Sequence, residues 1–253
     1  MNKVIFSICA LIVLYILSTD LVSTTFLKML LQPEAFIIVV GGTVCATILN
    51  FDKQTLGIAL KSALEIFKPQ LQDADSIIKE IMQLSIFVRK KGLLALDSAA
   101  KEVQDSFLAR GMQLVADIGN PQLIQDILGA EIAYEEEEEL ISSRVFEALG
   151  GYAPTFGLIG AVVGLIQVLK DFSSMDTLSI GIATAFVSTL YGVGLANVVF
   201  LPIAGNLKQK TREKIMFKEL ILQGILSISL QENPAILEEK LAGYVKSRGR
   251  NKV

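Results

Sequence analysis

Residues 150–170, GGYAPTFGLIGAVVGLIQVLK, and residues 180–201, IGIATAFVSTLYGVGLANVVFL, decide the fold. Each is an apolar run of about 20 residues, and at 1.5 Å per residue either one can cross roughly 30 Å of hydrocarbon. A short polar break joins them, so the pair reads as a membrane hairpin. Small residues line one side of both runs: Gly157, Gly160, Ala161 and Gly164 in the first, then Gly181, Ala185, Ser188, Gly192 and Ala196 in the second. Such stripes let helix backbones approach closely in lipid, in one subunit or around a ring. Hydroxyl and amide groups at Thr155, Thr184, Ser188, Thr189, Tyr191 and Asn197 either line a hydrated path or bond to a carbonyl one turn back. Between Pro154 and Leu169, and between Ile180 and Ile203, no carboxylate or amine occurs. An ion-driven machine built on this hairpin must therefore take its titrating group from another chain. Pro154 and Pro202 each remove a helix hydrogen bond and mark bends, which act as hinges if they lie beside a conduction site. Pro202 lies near the cytoplasmic boundary, where the end of a helix is the stronger reading.

The rest of the chain agrees with a membrane setting. Of 253 residues, 52% are hydrophobic and 19% charged, and the mean hydropathy is +0.54, too apolar for an ordinary soluble domain. The net charge of -3 comes with scattered cations, which argues against a nucleic-acid surface, and the absence of histidine excludes imidazole chemistry. Cys9 and Cys45 sit in apolar runs and read as small buried hydrophobes rather than a disulfide. No nucleophile with a base, metal cluster or phosphate loop appears, so neither an enzyme nor a cofactor is expected.

Upstream of the hairpin, Val4–Val22 forms a first apolar segment with Asp20 near its far end. A positive start followed by an apolar core resembles a secretory signal, but no small-x-small cleavage site follows, so it reads as an uncleaved span. Pro33 suits a helix restart, and Ala35–Phe51 forms a second span with small residues at Gly41, Gly42, Cys45 and Ala46. From Asp52 onward the pattern turns amphipathic, with Ile77, Ile78, Ile81, Leu84 and Val88 at helical spacing. Asn120–Pro121 and Asn233–Pro234 are both helix-start pairs. The acidic run Glu135–Glu139 reads as a solvated helix face. Lysine and arginine concentrate at Lys3, in the middle segment and after Pro202, which puts both termini in the cytoplasm with four spans. The expected architecture is all-α: spans in 1–51, a helical cytoplasmic domain over 52–148, spans in 149–204 and cytoplasmic helices over 205–253.

Three stretches carry a family resemblance: RKKGLLALD at 89–97, APTFGLIGAVVGL at 153–165 and STLYGVGLANVVFLPIA at 188–204. With this topology, the chain resembles the flagellar stator proteins of the MotA and PomA family over nearly its whole length. The resemblance implies a bacterial inner-membrane protein, five copies of which ring a dimer of MotB-like chains. Those partners would supply the ion-carrying aspartate and the peptidoglycan anchor. It places Arg89, Lys90 and Asp97 on positions that engage the rotor protein FliG, although family members commonly have Glu at the last position and Lys91 is an added charge. Pro154 and Pro202 match the family's functional prolines. Ala161 and Thr189 match positions associated with ion choice, and Thr155 and Tyr191 join them as pathway candidates. Sodium-driven members usually carry Thr where this chain has Ala161, and alanine removes a hydroxyl that Na⁺ could use, so protons are the expected ion. The competing readings are a TolQ- or ExbB-like energiser of an envelope process, and a passive membrane scaffold.

Overall fold

A computed structural model describes residues 30–67, 74–170 and 175–250. Among the described residues every regular element is helical and no strand occurs. The expected first span, Val4–Val22, lies outside them together with Cys9 and Asp20.

Helix α1 covers Pro33–Asn50. Pro33 occupies its first turn, where a missing N–H is harmless, and Ile37–Gly41 winds as a π-helix. Phe51 turns extended and stops it. Asp52 then accepts a hydrogen bond from the Thr55 N–H at 3.2 Å, opening α2 over Lys53–Leu64. Helix α3 runs over Ala74–Lys91 and buries Ile77, Ile81, Leu84 and Val88, the face its spacing predicts. After Gly92 come a 3₁₀ turn at Leu93–Ala95 and the short α4, Leu96–Ala100. Asp105 caps α5, Ser106–Ile118, which ends on the left-handed Gly119.

Asn120 accepts from the Gln122 N–H at 3.0 Å and starts α6, Pro121–Lys170. Helix α7 is α-helical over Met175–Gly194, π-helical over Leu195–Phe200 and α-helical again over Leu201–Ser229. Helix α8, Pro234–Arg250, begins where Asn233 accepts from the Ala235 N–H at 3.1 Å. Both asparagine–proline pairs thus open helices as their sequence predicts. The reading of Pro202 as a helix end is corrected, because α7 continues to Ser229. The π-helix just before Pro202 rearranges the local hydrogen bonding where the proline donor is missing. Pro154 likewise lies inside α6.

Three helices among the described residues are long and apolar enough to cross a membrane: α1, α6 and the part of α7 from Leu178 onward. The described residues of Met1–Ala59 with Arg144–Ala204 form one compact unit, and those of Leu60–Ser143 with Gly205–Val253 form another. In the second, Ile81, Leu96, Leu108, Met112, Ile124, Leu128, Ile221, Ile225, Leu237 and Leu241 are fully buried in one cluster. Burying each large aliphatic side chain contributes roughly 1.5–3 kcal/mol. Gly224 leaves room for Ile81, whose Cγ2 lies 2.7 Å from where a Cβ would stand.

Candidate functional site

In the first unit the glycine stripes of α6 and α7 mate with each other. A Cβ on Gly164 would stand 2.6 Å from the Gly181 carbonyl oxygen and 2.8 Å from the Ala185 nitrogen. One on Gly157 would reach the Ser188 carbonyl oxygen at 3.0 Å, and one on Gly192 the Ala153 carbonyl oxygen at 2.5 Å. Backbone therefore meets backbone, the contact that small residues permit in lipid. The small faces are used within one chain. On α1, Gly42 receives the Phe156 ring, whereas Gly41 has open space beside it.

This seam sorts the polar candidates. Thr184 and Ser188 are fully buried, with hydroxyls that meet no hydrogen-bond partner among the described residues. Thr155 and Thr189 lie on exposed faces. Their hydroxyls donate to the Tyr152 carbonyl at 2.7 Å and the Ala185 carbonyl at 3.2 Å, the local bonding that a membrane hydroxyl adopts. Ala161 is half-buried, as is Pro154, and Pro202 is exposed. Tyr191 donates its hydroxyl to the Leu30 carbonyl and meets Phe36 edge-on at 6.2 Å between ring centroids. Asn197, in the π-helical stretch, donates to the carbonyl of Val193 in the preceding turn at 2.9 Å. At one end of the unit, Gln167 donates to the Glu34 carboxylate at 3.5 Å.

The charged stretch 89–97 belongs to the second unit and hangs between two buried anchors, Val88 at 1% and Leu96 at 0% exposure. Arg89 and Lys90 end α3 with their side chains exposed. Lys91 is held differently, with its ammonium 4.8 Å from the centre of the Phe87 ring. The Gly92 N–H donates to the Val88 carbonyl at 2.7 Å, and the glycine then takes φ 82 and ψ 168, a conformation almost confined to glycine. Asp97 follows in α4. The segment presents two cations on a helix end, then reverses sharply into a second short helix.

The acidic run is not uniformly solvated, which corrects its sequence reading. Glu136, Glu137 and Glu138 are exposed, but Glu135 and Glu139 are half-buried. Lys214 of α7 lies 2.8 Å from Glu135 and 2.5 Å from Glu139, and Lys218 also pairs with Glu135. Burial alone would push the Glu135 carboxyl up, but hydrogen bonds and charge from Lys214 and Lys218 outweigh it and hold the group below its ordinary value. Burial would likewise lower Lys214, and its bonds to Glu135 and Glu139 raise it instead. A signal was present in the sequence: Lys214 and Lys218 stand four residues apart, as Glu135 and Glu139 do. Nothing local shows that the two helices meet. Among the described residues no group of acids or cysteines is placed to hold a metal.

Residues 99–219 match the MotA/TolQ/ExbB proton channel family. The chain is similar to the YtxD protein of Bacillus subtilis, with 36% identity covering 85% of this chain and 79% of the relative. It is also similar to motility protein A of the same organism, with 31% identity covering 88% of this chain and 83% of the relative. Its fold matches the structure of the flagellar MotAB stator complex from Bacillus subtilis with a TM-score of 0.82 and 30% identity, over 98% of this chain and 97% of that one.

Proposed function

Since the chain belongs to the MotA/TolQ/ExbB proton channel family, on its motility protein A and PomA side, we infer that it is a flagellar motor stator subunit. With a MotB-like partner it forms an ion channel and converts ion flow into torque on the rotor. It is a multi-pass protein of the bacterial inner membrane, not an enzyme.

The observation that carries this reading is the likeness to motility protein A over 88% of this chain and 83% of that one, joined to a membrane hairpin that holds no carboxylate or amine from Pro154 to Leu169 or from Ile180 to Ile203. Such a wall can guide an ion but cannot bind and release one by titration, so the titrating acid comes from the partner. The TolQ- or ExbB-like alternative shares the family, and the YtxD relative carries no motility name, but motility protein A, PomA and the flagellar MotAB stator structure match over most of the chain and favour the flagellar reading.

The finer assignments are part of the proposal. Four spans place both termini in the cytoplasm, following the distribution of lysine and arginine. Five copies surround the partner. Thr155, Ala161, Thr189 and Tyr191 belong to the ion pathway wall, Pro154 and Pro202 are its hinges, and the ion is H⁺ because Ala161 offers no hydroxyl to Na⁺. Protonation neutralises the partner's acid and lets the ring step past it. Arg89, Lys90 and Asp97 meet FliG. The exposure of Arg89 and Lys90 beside the Gly92 reversal supports that contact, and exposed pairs worth about 0–1 kcal/mol each suit contacts that exchange at every step.

The test is charge reversal at both Arg89 and Lys90 in a motile strain lacking its own stator. The double variant should reach the membrane at wild-type level and fail to drive swimming. Wild-type torque from it would remove the rotor-contact assignment.

A further inference from the structure

The half-buried charges between α6 and α7 do work that the motor reading does not yet assign. Glu135 and Glu139 stand one turn apart on α6, Lys214 and Lys218 one turn apart on α7, and the four interleave, with Lys214 bridging both acids and Lys218 returning to Glu135. Side-chain exposures of 18% for Lys218, 26% for Lys214 and 24% for Glu135 take these three out of open water, with Glu139 at the rim at 36%. Lys218 also lies 4.8 Å from the centre of the Phe107 ring of α5, so the cluster engages a third helix. Ile132 is the last α6 residue of the unit's apolar cluster. Immediately beyond it, at 135 and 139, α6 and α7 meet through charge.

The location gives this contact its meaning. Helix α6 carries Pro154 and Ala161 further along its length, and the continuous helical run of α7 carries Thr189 and Pro202 upstream of its lysines. The hydrophobic effect is non-directional, whereas charge-assisted hydrogen bonds add geometric specificity and fix axial register and rotation where α6 and α7 leave the glycine seam. We propose that Glu135, Glu139, Lys214 and Lys218 are positioning residues for torque generation, locking α6 to α7 so that displacement of the membrane hairpin arrives undiminished at the rotor-facing helices. The inference rests on the motor function proposed above. It separates two steps of that function: ion passage, which these residues do not touch, and transmission, which they govern.

The experiment uses the full chain co-expressed with its MotB-like partner in a stator-less strain. One variant neutralises the cluster without leaving unpaired charge: Glu135→Gln, Glu139→Gln, Lys214→Met and Lys218→Met. A second inverts it: Glu135→Lys, Glu139→Lys, Lys214→Glu and Lys218→Glu. Membrane level, proton uptake by inverted vesicles and torque of tethered cells under high load are measured for each. The neutral variant should keep wild-type proton uptake and lose half or more of its high-load torque, and the inverted variant should recover that torque. Wild-type torque in the neutral variant, torque and uptake falling together, or an inverted variant no better than the neutral one would each overturn the proposal. A wild-type chain that drives neither uptake nor rotation would instead contradict the motor function itself.

Discussion

Gly92 makes a sharp local demand on its residue type. Its φ of 82 and ψ of 168 lie where a Cβ is strained, and the cost of forcing one there is about 1–3 kcal/mol. Gly92→Ala should lower the thermal midpoint of the detergent-solubilised protein and impair swimming, because it disturbs the reversal from the end of α3, which carries Arg89 and Lys90, into α4. An unchanged midpoint would show that the turn relaxes freely. The same scale holds a pH prediction. The Glu135 carboxyl is depressed below its ordinary 4.5, so its contribution is complete above that pH and is lost as pH falls through the lower folded value. Lys214 is raised above its ordinary 10.5, so its contribution is present below that pH and lost only as pH rises through the higher folded value. Acid titration of thermal stability should therefore show a loss below about pH 4.5 that Glu135→Gln diminishes. A titration curve identical in wild type and variant would contradict the pairing.

At the scale of elements, the α6–α7 seam depends on absent side chains. A Cβ on Gly164 would stand 2.6 Å from the Gly181 carbonyl oxygen, and backbone cannot rotate out of the way, so Gly164→Ala should cost about 1–3 kcal/mol as overpacking. Gly151 has nothing within 4 Å of its Cβ position, and Gly151→Ala should be neutral or stabilising because alanine is the better helix former by about 1 kcal/mol. Size-exclusion thermal midpoints of the two variants should move in opposite directions or differ clearly, and equal midpoints would remove the seam from the account. Much of this was legible in the sequence. Hydropathy located the three long apolar helices among the described residues, spacing located the buried face of α3, and Asn120 and Asn233 announced their helices, because each signal is local. The π-helix at Leu195–Phe200 was not, since apolar residues such as Leu195, Val198 and Val199 fit α and π winding alike. Nor was the role of Glu135 and Glu139 legible, because their partners lie some 75 to 83 residues away.

For the whole molecule, the decisive feature is chemical division of labour. The hairpin supplies a close-packed wall without acid or amine from Pro154 to Leu169 and from Ile180 to Ile203, the second unit supplies a charged turn between the anchors Val88 and Leu96, and in the proposed motor the titrating group is the partner's. Sequence motifs placed the chain among stator proteins because the residues at 153–165 and 188–204 carry the glycine seam in one recognisable pattern. Transmission depends on tertiary pairing, and for that the fold was needed. The most direct test is the rotation of tethered stator-less cells expressing this chain and its MotB-like partner, recorded while the proton gradient is collapsed and restored at fixed low Na⁺. The account predicts rotation that falls to zero and recovers with the proton gradient. Cells that hold both chains in the membrane and do not rotate, or that rotate only when external Na⁺ is added, would contradict it.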